Sequence, residues 1–192
     1  MSARFIRSAR DPQALGEHGL VEVAFAGRSN VGKSSLLGTL VRRHRLFKTS
    51  ATPGRTRALN LFAWEGFALV DLPGYGYAKL SKTERIALEH LLRNYFRTRV
   101  QLAAVVLILD ARRDVLQAND QQMAAWILQQ QLPLLLVLNK IDAIPKNRRQ
   151  QQVRRIERAL GVPDGTAVVF SAKSGEGRDE LVARLQELRQ PA

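Results

Sequence analysis

Apolar residues in this chain fall into six short runs, separated by stretches in which they recur every three or four positions. The runs at 20–26, 102–109 and 134–138 are nearly continuous, as in parallel strands covered on both faces. Those at 58–64, 67–72 and 166–170 are further strands, and Glu65-Gly66 joins the first two of these as a short hairpin-like connection. Helical spacing follows in between. Leu36, Leu37, Leu40 and Val41 mark one helix, and residues 82–97 form another with Leu88, Leu91, Leu92 and Tyr95 inward. Residues 119–131 bear Met123 and Ile127, 147–160 bear Val153, Ile156 and Leu160, and 176–189 bear Leu181, Leu185 and Leu188. Strands alternating with helices predict an α/β three-layer sandwich around a mostly parallel six-stranded sheet. Residues 1–19 hold Arg4, Arg7 and Arg10 around Phe5, then Pro12 and two glycines, and read as an N-terminal arm of weak structure. Residues 20–192 read as one domain. Gly16-Glu17-His18-Gly19 matches the G-x-x-G of an RNA-binding loop, but no domain fits before residue 20, so it reads as a turn.

The chemistry begins where the first strand meets the first helix, at Gly27-Arg28-Ser29-Asn30-Val31-Gly32-Lys33-Ser34. Gly27 and Gly32 let the backbone wrap closely around an anion, with successive N–H groups and the positive helix end directed at phosphate oxygens. Lys33 is placed to meet the β- and γ-phosphates of a nucleoside triphosphate, and the Ser34 hydroxyl to bind Mg²⁺. Residues 49–57 are polar, contain Pro53-Gly54 and lack periodicity, which predicts a loop of the kind that senses the γ-phosphate. Its threonines, Thr52 and Thr56, both qualify to complete the Mg²⁺ shell. Strand 67–72 runs into Asp71-Leu72-Pro73-Gly74, where Asp71 sits beside the metal and Gly74 offers an N–H to the γ-phosphate.

Asn139-Lys140-Ile141-Asp142 decides the base. Guanine presents two adjacent donors, N1–H and the exocyclic amine, and one carboxylate accepts from both, so Asp142 suits guanine. Adenine would set an acceptor against that carboxylate, a mispairing of buried polar groups that disfavours an ATPase. Asn139 can tie this loop to its neighbours while the Lys140 stem packs over the base. In Ser171-Ala172-Lys173 the Ala172 N–H is expected to meet the guanine carbonyl.

Composition narrows the setting. No cysteine is present, which excludes disulfides and thiolate chemistry, and no apolar run approaches the ~20 residues that span a bilayer. With no apolar signal segment at the N-terminus, a cytoplasmic protein without membrane insertion is expected. The net charge of +13, carried mostly by arginine, suits a polyanionic partner, RNA foremost.

These motifs together resemble the EngB (YihA/YsxC) family of bacterial ribosome-biogenesis GTPases, within the translation-factor-related class. The likeness is carried by residues 27–36, Thr52-Pro53-Gly54-Arg55-Thr56, Asp71 through Ala78 with its Gly-Tyr-Gly-Tyr-Ala run, 139–142 and 171–173. It implies a Ras-like P-loop GTPase domain with one antiparallel strand. It selects Thr56 over Thr52 as the Mg²⁺ ligand beside Ser34, with Asp71 acting through water. It spreads the GTP contacts over residues 27–35, Gly54, Arg55, Thr56, Arg57, Ala58, residues 71–74, 139–142 and 171–173. It further implies work on the large ribosomal subunit and a link to cell division and septation; a monomer that binds GTP and GDP is expected. Ras-like enzymes carry a glutamine after the D-x-x-G glycine. Tyr75 stands there in this chain and has no amide to orient water, so slow intrinsic hydrolysis is expected. Lys33, Gly74 and Asn30 remain as the hydrolytic set, with Asn30 where potassium-activated relatives hold K⁺. A nucleotide-regulated protein-interaction module at the division site, without direct rRNA contact, is the competing reading.

Overall fold

The computed structural model describes residues 2–51, 58–77, 80–113 and 115–189. Seven strands form one sheet: β1 (Arg4–Ala9), β2 (Val21–Gly27), β3 (Leu59–Trp64), β4 (Phe67–Asp71), β5 (Leu102–Asp110), β6 (Leu134–Asn139) and β7 (Val168–Val169). Their spatial order is β1-β3-β4-β2-β5-β6-β7. The β2 strand is parallel to both β4 and β5, whereas β3 runs antiparallel to both its neighbours. One antiparallel strand in a mostly parallel sheet is the arrangement expected.

Among the described residues five α-helices cover the two faces: α1 (Lys33–Leu40), α2 (Lys82–Thr98), α3 (Ala118–Gln129), α4 (Lys146–Leu160) and α5 (Arg178–Glu187). Side chains alternate across each strand, and the alternation sorts the core into two layers. Val23, Phe25, Val106, Ile108 and Val137 point to the layer that holds Leu36 and Leu40 of α1 with Leu181 and Leu185 of α5. Ala24, Ala26, Leu107, Leu109 and Leu138 point to the other, against Leu92 and Tyr95 of α2, Met123 and Ile127 of α3, and Ile156 of α4. Helix α2 starts on a reciprocal capping box, with Ser81 and Glu84 each bonding the other's backbone N–H.

The expected weak arm is a correction. Residues 4–9 form β1, pair with β3 and raise the strand count from six to seven. Arg4 and Arg7 are exposed on this edge strand, while Phe5 meets Phe62 edge-to-face at 5.5 Å. The inward stripe on α2 is also shifted, with Leu92, Tyr95 and Phe96 fully buried and Leu88 and Leu91 only half-buried.

A polar clamp closes the amino edge of the sheet. Glu22, fully buried at the start of β2, accepts the Tyr95 hydroxyl at 2.7 Å, Arg99 Nε at 3.2 Å and the His18 ring at 2.9 Å. Arg99 also donates to the Gly16 carbonyl at 3.1 Å, which fastens residues 12–16 to the end of α2. Burial alone would raise the Glu22 pKa, but the bonds from Arg99, Tyr95 and His18 prevail and hold it below the usual 4.5. A carboxylate with a lowered folded-state pKa contributes stability above its unfolded value and loses it as pH falls through the folded one. Tyr95→Phe should cost about 1–3 kcal/mol in urea unfolding at neutral pH, since it strips a buried acceptor of its donor. Glu22→Gln should be destabilised at neutral pH and lose less further stability than the parent between about pH 5 and 3.

Candidate nucleotide-binding site

Five loops leave the carboxyl edge of the sheet together: those after β2, β4, β5, β6 and β7. The loop between β2 and α1 is held tight by its glycines. A Cβ on Gly27 would come within 2.8 Å of Val31 Cγ1. Gly32, at φ +93°, would drive a Cβ to 2.5 Å from Asn139 Nδ2. Lys33, first residue of α1, places its ammonium on the Asp71 carboxylate at the end of β4. Asp71 is fully buried, and its second oxygen has no hydrogen-bond partner among the described residues. Phosphates brought to the loop would therefore find a shielded lysine and an acidic oxygen side by side.

Asn139, 1% exposed at the end of β6, binds in two directions. Its Nδ2 donates to the Val31 carbonyl at 3.0 Å, and its Oδ1 accepts the Ala172 N–H at 3.2 Å. Lys140 is left-handed at φ 69° and donates to the Asn30 carbonyl at 2.7 Å and to Asp110 at 2.9 Å. Asp142 is exposed, with one carboxylate oxygen held by Ser171 Oγ at 2.6 Å. The buried Ser171 hydroxyl in turn accepts the N–H groups of Lys173 and Ser174. The loop is thus built from its own side chains, and the Asp142 carboxylate stands on its exposed rim.

The structure brings Lys33, Asp71, Asn139, Lys140, Asp142 and Ser171 to this one edge. Val31, Leu72 and Ile141 belong to the core at 5%, 1% and 0% exposure, so they offer the ligand backbone rather than side chains. The Ala172 N–H, expected to face the guanine carbonyl, is instead engaged by Asn139, whose carboxamide lies closer to it than sequence order suggests. Arg28 pairs with Tyr75 through an isolated β-bridge, and its side chain runs against Gly76. Gly54, Arg55, Thr56 and Arg57, and with them the choice between Thr52 and Thr56, lie outside the described residues, as does Ala78. Ala58 is half-buried just before β3, and Ser35 is exposed on α1.

Two carboxylates escaped the sequence reading. Asp110 closes β5 and anchors Lys140 and Arg112. Burial would raise its pKa, but bonds from Arg112 and Lys140 lower it to about 2. The rule that selected Asp71, a carboxylate at a strand's carboxyl end, applies equally to Asp110. Asp120, in the first turn of α3, accepts the buried Tyr75 hydroxyl at 2.8 Å. Burial and the Asp120 charge push that phenol well above its usual range, so it remains a neutral donor.

Comparison with known proteins agrees with this geometry. Residues 22–140 match the family model described as 50S ribosome-binding GTPase, and residues 91–191 match the elongation factor Tu GTP-binding domain. The "probable GTP-binding protein EngB" of Desulfatibacillum aliphaticivorans is 45% identical over 188 residues, covering 97% of this chain and 91% of that protein. Its counterpart in Geobacter metallireducens is 45% identical over 186 residues, 96% of this chain and 91% of that one. This chain belongs to the EngB family of GTP-binding proteins. It therefore shares that family's P-loop GTPase activity, the hydrolysis of GTP. A crystal structure of an EngB protein superposes with a TM-score of 0.74 at 24% identity, covering 87% of this chain and 97% of that one. Era in complex with a 16S ribosomal RNA fragment superposes at 0.70 and 23% identity, over 92% of this chain and 59% of that one, which speaks for the fold.

The donors present fit Mg²⁺, a hard cation that takes oxygen ligands and keeps several waters. Asp71 supplies a buried, unpartnered oxygen, and Ser34 lies next to Lys33 at the helix start. The metal would neutralise charge on the β- and γ-oxygens.

Asp142→Asn should weaken GTP binding at least tenfold and erode the preference for guanine over other purine triphosphates, read by competition against a fluorescent GTP analogue. A preference unchanged by this substitution would place the base elsewhere.

Proposed function

We propose that this EngB protein is a GTP-operated switch in large ribosomal subunit assembly, active in the cytoplasm and tied through that work to division and septation. The observation that carries this reading is the arginine face of α4. That helix begins at Lys146, four residues after the base-reading Asp142, and exposes Arg148, Arg154, Arg155 and Arg158. Asp164 answers Arg154 and Arg158 only at 3.8 and 3.4 Å, exposed contacts worth little in water. A cationic face beside the nucleotide suits rRNA phosphates and puts them within reach of the switching loops. The description of the matched family, 50S ribosome-binding GTPase, supports the same partner.

In this reading Mg²⁺ would be held by Ser34 and by Thr56, which lies outside the described residues, with Asp71 contributing through water. Lys33 meets the β- and γ-phosphates and Gly74 the γ-phosphate. Tyr75, tied to Asp120, takes no part in aligning water, so hydrolysis is slow and the bound nucleotide lasts as a signal. Asn30 has a left-handed backbone at φ 67°, which asparagine tolerates better than most residues, and an exposed side chain. In this reading that side chain would help hold K⁺ beside the phosphates.

Sedimentation with 50S particles should be strong with a non-hydrolysable GTP analogue, weak with GDP, and steeply reduced between about 50 and 200 mM salt. Binding indifferent to both variables would remove the rRNA-docking switch. Separately, GTP turnover should run several-fold faster in KCl than in NaCl at equal ionic strength. Asn30→Ala should abolish that difference, and equal parental rates would dismiss the K⁺ role.

A further inference from the structure

A second basic surface lies on α2 and α3, apart from both the nucleotide edge and α4. The turn at residues 10–13, the outer side of α2 and the end of α3 enclose a cleft of about 820 Å³. Arg10, Arg93 and Arg97 line it, with His90 beside them. Asp11 is the one carboxylate in its lining among the described residues, and it is occupied in accepting the Gln13 N–H at 3.0 Å. Arg93 is partly answered by Glu89 at 3.0 Å. Arg10 and Arg97 have no hydrogen bond or ion pair among the described residues. Cations gathered in a concavity without counter-charge create a field that draws in anions.

The cleft is not merely cationic. The Arg93 guanidinium lies over the ring of half-buried Trp126, 4.1 Å from its centroid, which fixes a flat surface in the wall. Around it stand the amides of Gln13, Asn94 and Gln129, groups that donate and accept together. A planar guanidinium–indole stack, free cations and amides are the three elements that hold an unpaired nucleotide strand: a face for a base, charges for phosphates, and partners for base edges and 2′-hydroxyls. An acidic peptide would use the arginines and leave the stack and the amides idle.

The cleft is also fixed in shape. Its floor at residues 12–16 is bound to the end of α2 through Arg99 and Glu22, so its two sides keep their spacing. On the other side of Trp126 a smaller cavity of about 280 Å³ continues to Gly76 and Tyr77, directly after the Asp71–Gly74 motif. A strand lying along this groove would have its end beside a nucleotide-sensing segment.

We propose that the α2–α3 cleft binds a short unpaired segment of RNA, a second contact beyond the α4 face. The proposal rests on the rRNA reading above, and the test separates the two. Full-length protein is titrated with a fluorescent ten-nucleotide oligouridine and with a hairpin duplex of equal charge, across a salt series. The variants are Arg10→Glu/Arg97→Glu in the cleft and Arg148→Glu/Arg155→Glu on α4.

The cleft variant should bind the single strand at least tenfold more weakly and bind GTP as the parent does. The slope of log affinity against log salt should become shallower by about 1.4, since each lost single-strand phosphate contact removes about 0.7. Duplex affinity should change little, and polyglutamate of equal charge should compete poorly. The cleft proposal is overturned if the cleft variant keeps full single-strand affinity while the α4 variant loses RNA. It is likewise overturned if duplex and polyglutamate respond as the single strand does, which would make the surface a general anion patch. Failure of the parent to bind either RNA would instead undo the rRNA reading itself.

Discussion

One carboxamide holds the nucleotide edge together. Asn139 reaches from the end of β6 to the phosphate loop through the Val31 carbonyl and to the last loop through the Ala172 N–H. Three loops far apart in sequence thereby acquire a fixed spacing. Each bond is ordinary in strength, but Asn139 and Val31 are buried, where an unmade bond costs more than a made one contributes. Gly32 is glycine for the same reason, because Asn139 occupies the space a Cβ would need. Lys140 then adds a second tie, from the base loop to Asn30.

The two edges of the sheet are built differently. At the amino edge, Glu22, Tyr95, His18 and Arg99 form a buried network in which both carboxylate oxygens are satisfied. At the carboxyl edge, Asp71 keeps one oxygen unpartnered, Arg28 Nε is buried without a partner, and the Tyr75 phenol is coupled to Asp120. Two of the three buried side-chain atoms left unpartnered among the described residues thus lie where a charged ligand enters; the third, Glu157 Oε2, lies on α4, in a carboxylate whose other oxygen accepts the Gly165 and Ala167 N–H groups ahead of β7. The Glu22 network ties the start of β2, the end of α2 and residues 12–18 together.

Much of this was legible before any coordinates. The phosphate loop, the strand-end Asp71 and the residues 139–142 were readable because each pairs an unusual residue pattern with a definite place between a strand and a helix. Strand β1 was not readable: Arg4 and Arg7 interrupt its apolar pattern because one of its sides is open to solvent. Strand β7 is only two residues long, much shorter than the apolar run 166–170 suggested. The engagement of the Ala172 N–H by Asn139 is a contact across 33 residues, and no local pattern encodes it. Asp110 could have been found, since it ends its strand as Asp71 does, but it belongs to no familiar motif. The α2–α3 cleft depends on where three separate segments meet, so its arginines looked in the sequence like any solvated charge.

The arginines that hid β1 have an effect of their own. An unpaired strand at the margin of a sheet is a template for another chain, and charged side chains discourage such pairing. Here one margin carries Arg4 and Arg7, and the opposite margin ends in a strand too short to template much. Neither side invites a further strand, so the sheet is guarded against growing by self-association. Copies of a chain with a net charge of +13, drawn together along a polyanion, would thus be kept from fusing through their backbones.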